Sequence, residues 1–205
     1  EKRGLLTEGE NALLIADLMK ASNRVANIAG TYGYFMRDWV DPRVFKNLKL
    51  QRSTIVKGKG QHKVYHEDAN RLVERVDAQI LYLDPPYTWR HYGAYYHILE
   101  TIARWDTPKV EGISGLRPWE DSKSPYCYRN QAAGALSELI GKVRADHIFL
   151  SYNSEGLIRH EEILSILAVR GNPTFYEMEY RRYKSNQSGP ARRHVKERIY
   201  YLKPN

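Results

Sequence analysis

Residues 80–92 read ILYLDPPYTWRHY. Taken back to Ala78, the run AQILYLD has the continuous hydrophobicity of a strand buried on both faces. It stops at Asp84, where Pro85 and Pro86 remove two backbone donors and hold the chain extended. Asp84 then offers acceptor oxygens beside the Pro85 carbonyl, and Tyr87 offers a flat face. An amino group on an aromatic ring fits this arrangement: Asp84 and the Pro85 carbonyl accept its two N–H bonds while the ring stacks on Tyr87. Accepting both hydrogens draws the nitrogen lone pair out of conjugation, so the nitrogen becomes nucleophilic without a strong base. An aspartate at a strand end can also simply cap the next turn. The tyrosine directly behind the prolines, in a basic chain, favours the chemical reading.

The surrounding pattern is regular. DANRLVERV (68–76) predicts a short helix before the strand. AYYHILETIARW (94–105) predicts one after it, with Ile98, Ile102 and Trp105 on one face. Residues 107–130 are rich in Gly, Pro and Ser, and an irregular segment of this length is usually functional or mobile. A helix over 131–144, a second buried strand HIFLSYN (147–153) and a helix over 159–171 closed by Gly171 follow. TFYEMEYRRY (174–183) and VKERIYYL (195–202) alternate as strands, and the polar loop KSNQSGPARRH (184–194) joins them into an antiparallel hairpin. Upstream, 8–22 carries a helical apolar face. The glycines of 23–39 suggest a turn before a short aromatic helix ending near Pro42. NLKLQRS (47–53) and HKVYHEDA (62–69) look like short strands around the loop VKGKGQ (56–61).

Strand, helix, strand, helix and hairpin make an α/β domain with a mostly parallel sheet and an antiparallel C-terminal hairpin. Ligands in such sheets sit beyond the carboxyl ends of the strands. DPPY (84–87) and SYN (151–153) both fall there.

Composition narrows the partners. The chain of 205 residues is 42% apolar and 27% charged, as expected of a soluble globular protein. It contains no stretch long enough to span a membrane and no signal peptide at its start. The single cysteine, Cys127, excludes an internal disulfide and a cysteine-based zinc site, and a reducing cytoplasm is the expected compartment. A net charge of +8 points to an anionic partner. Sixteen tyrosines and four tryptophans in an arginine-rich chain are the mixture that stacks bases and holds phosphates, although most of the tyrosines are expected in the core.

YLDPPY resembles the catalytic motif of the α-type DNA N6-adenine methyltransferases, which move a methyl group from S-adenosylmethionine to adenine. The segments 68–76, 80–103, SYNSEG (151–156), YRRYKS (180–185) and 195–202 resemble consecutive segments of the same family. The resemblance implies a Rossmann-like methyltransferase sheet, S-adenosylmethionine as donor with no metal, and double-stranded DNA as substrate. It also implies a restriction–modification or other modification role in the cytoplasm of a bacterium or archaeon, or from a phage. Asp84, Pro85, Pro86 and Tyr87 match the motif that holds a target adenine flipped out of the duplex. Asp68 matches a carboxylate that contacts the donor's adenine, and as a residue type it equally suits a helix N-cap. Arg90, His91 and Tyr92, on the loop after the motif, are expected at the DNA strand. Ser151, Tyr152 and Asn153 are expected at the target pocket, with a plain structural turn as the alternative. Arg181, Arg182 and Lys184, with Arg192 and Arg193, form a basic cluster suited to phosphates. His97 and Glu100 read as helix packing or a local hydrogen bond rather than an acid–base pair.

The family also carries a glycine loop of the form F-x-G-x-G for the donor. IAGTYGYF (28–35) lacks the preceding buried strand and does not match it. The start at Glu1, without a methionine, agrees with a C-terminal part. Residues 1–60 are then the end of a target-recognition or insertion region and 61–205 the C-terminal part of the catalytic domain. The N-terminal half belongs to the same protein or to a complementary subunit. Alternatives are an RNA adenine methyltransferase and a non-catalytic DNA-binding subunit; N4-cytosine methylation usually has Ser in place of Asp84.

Overall fold

A computed structural model of the protein describes residues 5–34, 36–181 and 194–205. The chain divides into two compact units, residues 1–62 with 92–122, and residues 63–91 with 123–205.

The first unit is helical and irregular. Helix α1 (Glu8–Val25) begins in a capping box: Thr7 Oγ1 accepts from the Glu10 amide, and Glu10 accepts in return from the Thr7 amide at 2.8 Å. Its buried Asp17 accepts from the amide of Ser53 at 3.1 Å and from its hydroxyl at 2.5 Å, and these bonds hold its carboxyl below the usual range. The extended residues around Ser53 are thereby tied down without a strand partner. Neither 47–53 nor 62–69 forms the strand expected of it. Alternation alone does not make a strand; it needs a ladder, and Leu50 and Val64 stand 57% and 95% exposed. Among the described residues, the aromatic helix expected before Pro42 does not form either. Pro42 instead opens a single 3-10 turn, Pro42–Phe45, capped by Asp41, because proline's missing N–H costs nothing at a helix start.

Helices α3 (Tyr92–Tyr95) and α4 (His97–Arg104) complete this unit. The buried position of α4 is His97, not the expected Ile98 or Trp105, both of which are exposed. The His97 ring nitrogen Nε2 lies 3.1 Å from the Tyr32 carbonyl, and Glu100 accepts from Arg104, as packing and local-bond roles require. In the following segment the buried Arg117 makes a bidentate pair with Asp106 at 2.7–2.9 Å and reaches Thr101 at 3.1 Å. Helix α4 ends on Trp105 in the left-handed region, at φ 51°, with its amide bonded to the Thr101 carbonyl. The Trp105 side chain is 73% exposed, so Trp105→Gly is expected to relieve the strained φ and gain about 0.5–1 kcal/mol. A lower melting temperature in that variant would show that the indole stabilises more than its backbone costs.

The second unit holds a four-stranded sheet in the order β1-β2-β4-β3, formed by β1 (Asp77–Leu83), β2 (Arg144–Asn153), β3 (Thr174–Arg181) and β4 (His194–Leu202). Only β1 and β2 pair in parallel; β4 runs against both β2 and β3. The hairpin is as expected, but the sheet is mixed rather than mostly parallel. Helices α5 (Ala132–Lys142) and α6 (His160–Ala168) lay Leu136, Leu139, Ile140, Ile163 and Leu167 over Ile148, Leu150, Tyr152, Tyr200 and Leu202 in one core. Side chains at spacings of three and four on the helices thus meet side chains at spacing two on the strands. Arg170 closes the layer by donating to the carbonyls of Ile140, Gly141 and Val143 at 3.0–3.3 Å, where helix α5 runs out of its own donors.

Among the described residues, the opposite face of the sheet carries several exposed apolar side chains. Ile80 and Tyr82 of β1 and Tyr176, Met178 and Tyr180 of β3 are 50–69% exposed there. Strand β1 is therefore not buried on both faces as its composition suggests. It lies at the sheet's edge, with only Leu81 and Leu83 turned toward the helices. No helix among the described residues is long and apolar enough to cross a membrane.

Candidate functional site

The parallel pairing of β1 and β2, in register from Asp77↔Arg144 to Leu83↔Leu150, brings both motifs to one end of the sheet. Asp84 follows the last residue of β1, and Ser151, Tyr152 and Asn153 are the last three of β2, still paired with Ile199, Arg198 and Glu197 of β4. Asp84 is exposed, and no described residue pairs with its carboxylate. Pro85, Pro86 and Tyr87 are half-buried. The Tyr87 carbonyl accepts from the Leu157 amide at 2.9 Å, and its ring meets the Tyr152 ring nearly at right angles, 6.0 Å between centroids. A rigid shelf with an exposed carboxylate beside it results, which can accept hydrogen bonds from a planar amine while supporting its ring.

The SYN residues divide. Ser151 is half-buried. Tyr152 is buried, its hydroxyl accepts from the Ile158 amide at 3.2 Å, and burial raises its pKa. Asn153 is buried too, accepting from the Glu155 amide at 2.7 Å and donating to Glu197. The turn that follows β2 is built on these two side chains.

Asp68 is exposed and caps α2 (Ala69–Leu72), accepting from the Arg71 amide at 3.1 Å. What anchors that short helix was not visible in the sequence. Asn70, buried against α5, donates to the Ala135 carbonyl at 2.9 Å and to Glu138 at 3.0 Å, and accepts from the Tyr126 hydroxyl at 2.8 Å. Burial drives the Tyr126 pKa far up, so the phenol stays a donor. Asn and Tyr so far apart in sequence give no local signal of such a bond.

On the loop after the motif, Arg90 is exposed with its guanidinium 5.9 Å from the Trp89 ring centre. The His91 ring tilts against Tyr128 at 5.1 Å, and burial together with the Lys123 charge lowers its pKa, which favours the neutral imidazole. Tyr92 is exposed, opens α3 in the other unit, and sets its ring against Tyr96. Cys127 is buried and donates to the Arg90 carbonyl. Arg181 ends β3; Arg182, Lys184, Arg192 and Arg193 lie outside the described residues.

Residues 9–166 match the family model of the D12 class N6 adenine-specific DNA methyltransferases. The chain belongs to this family. It is 43% identical over 205 residues to the type II methyltransferase M.FokI of Planomicrobium okeanokoites, an alignment covering 98% of the chain and 31% of the relative. It is 37% identical to the modification methylase StsI of Streptococcus sanguinis, with the same two shares, 98% and 31%. It is 38% identical over 175 residues to M.NlaIII of Neisseria lactamica, which covers 85% of the chain and 52% of the relative. This D12-class chain thus spans about a third to a half of the length of these curated relatives. No solved structure matches it.

Proposed function

We propose that this chain is the C-terminal catalytic part of a DNA adenine-N6 methyltransferase of a restriction–modification system, acting on a base flipped out of duplex DNA. The observation that carries the reading is the exposed Asp84 carboxylate just after β1, three residues before Tyr87, whose ring meets Tyr152 and whose backbone carbonyl accepts from the Leu157 amide. In this reading Asp84 and the Pro85 carbonyl accept the two amino hydrogens of the adenine, and Tyr87 supports the ring. The nitrogen then carries a localised lone pair toward the methyl donor. Once the nitrogen is cationic, its proton leaves along the bond it already makes to Asp84. Arg90 and His91 follow the DNA strand beside the site, Tyr92 contacts the DNA from its own unit, and the basic residues 181, 182 and 184 take phosphates.

S-adenosylmethionine, when bound, supplies the electrophilic methyl group. Asp68 suits a contact to its adenine: the carboxylate is exposed, yet the N-cap bond to Arg71 fixes its direction. A single contact makes an incomplete donor site, and we assign the remainder, with a Rossmann-like continuation of the sheet, to an N-terminal half or complementary subunit. The open edge of β1 and the exposed Ile80, Tyr82, Tyr176 and Met178 support this, since an uncovered apolar sheet face favours a partner. The isolated chain is accordingly expected to bind S-adenosylmethionine weakly or not at all; a calorimetric titration giving micromolar affinity would overturn that assignment. Methylation assays of the completed enzyme on duplex DNA and on structured RNA test the substrate, with duplex DNA expected to be the one methylated.

A further inference from the structure

We propose that Tyr152 is a positioning residue for Tyr87, and that Gly156 is glycine because the Tyr152 ring occupies the space a side chain would need. This rests on the reading above, in which Tyr87 supports the target base.

Tyr152 was expected at the nucleic acid, but at 2% exposure its ring cannot present a surface to a base. What it touches is Tyr87. The two rings stand 6.0 Å apart at 68°, an edge-to-face contact that fixes the tilt of each ring. The turn after β2 locks both partners with consecutive amides: Leu157 donates to the Tyr87 carbonyl at 2.9 Å and Ile158 to the Tyr152 hydroxyl at 3.2 Å. The turn is itself fixed. Gly156 donates to the Asn153 carbonyl at 3.0 Å, the Asn153 side chain holds the Glu155 amide, and Ser154 exchanges bonds with Lys196 of β4 at 2.8 and 3.0 Å. A methyl group on Gly156 would lie 2.2 Å from Cε1 of Tyr152 and 3.0 Å from the Asn153 carbonyl oxygen, so alanine must displace the ring or the turn. Strand β2 thus sets the angle of a residue on the neighbouring strand's loop, and SYNSEG acts through Tyr87.

The test uses the methyltransferase polypeptide carrying this chain, with the methylated adenine first mapped in duplex DNA. The kcat is measured on that adenine duplex. A second duplex with 2-aminopurine at the target position, which has no 6-amino group to methylate, reports base stacking. Gly156→Ala is expected to lower kcat about 10–100-fold, with duplex Kd within about twofold, because misplacing a supporting group by an ångström costs on the order of 100-fold. The bound 2-aminopurine should fluoresce more brightly than with the unaltered enzyme, since a flipped base poorly stacked on Tyr87 is less quenched. Tyr152→Phe keeps the ring and loses only the hydroxyl's bonds to the turn's amides, so it should show the same two changes at about 3–10-fold in kcat. If Gly156→Ala fails to fold, Tyr152→Phe decides. Unchanged kcat and unchanged 2-aminopurine fluorescence in a folded variant overturn the positioning role. Should Tyr87→Ala also leave both unchanged, the base-stacking reading is what fails.

Discussion

Asp84→Ala is expected to reduce the methylation rate of the completed enzyme about 100- to 1,000-fold, the range found when one preorganised hydrogen-bonding partner of a reacting group is removed. Duplex affinity should change by no more than about twofold, because the phosphate contacts assigned to this chain lie on other residues. Asp84 is exposed and follows β1 without a described partner, so its removal opens no cavity and leaves no buried group unsatisfied. The melting temperature should therefore stay put, and the loss should appear in kcat. Asp84→Asn is the sharper comparison. It keeps one carbonyl acceptor but turns an N–H pair toward the substrate amine in the alternative rotamer, so its rate should fall between the two. Single-turnover methylation measured at saturating donor distinguishes these cases. A variant that methylates nearly as fast as the original would remove Asp84 from the chemistry and leave the non-catalytic reading standing.

The features that were legible in the sequence share one property: they are local. DPPY announces a strand end because proline cannot stay in a ladder, and the strand before it is there from Asp77 to Leu83. The helix expected over 131–144 and the one over 159–171 form as α5 and α6, because apolar residues recur at three and four. What the sequence misstated depends on neighbours. AQILYLD reads as doubly buried, yet Ile80 and Tyr82 face away from the α5–α6 core and stay exposed on an edge strand. HKVYHEDA alternates like a strand and finds no ladder. The candidate site of Asp84 to Tyr87 rests on four consecutive letters, whereas the Asn70–Tyr126 bond spans 56 positions and the Tyr87–Tyr152 contact joins the loop after β1 to strand β2. Tyr152 was singled out by its motif as a residue at the nucleic acid, whereas the structure buries it, and a motif does not encode burial.

Leu150→Ala is expected to carry the largest stability cost, about 3 kcal/mol, within the range for deleting a fully buried leucine. Leu150 is 0% exposed and pairs with Leu83 on one side and Tyr200 on the other, directly before Ser151. Its side chain lies in the core shared with α5 and α6, where a close-packed interior relaxes only partly around a lost isobutyl group. For a chain of this size the melting temperature should drop by roughly 6–12 °C. Phe149→Ala, one residue away on the same strand, is the control. Phe149 points to the uncovered face, half-buried against Tyr201 at 5.1 Å between ring centres, so truncating a larger side chain should cost distinctly less than truncating Leu150. Urea denaturation of the two variants decides the matter. Equal losses would mean that the second sheet face is packed as tightly as the first, whereas a cost confined to Leu150 ties the strand ends that carry both motifs to the α5–α6 core alone.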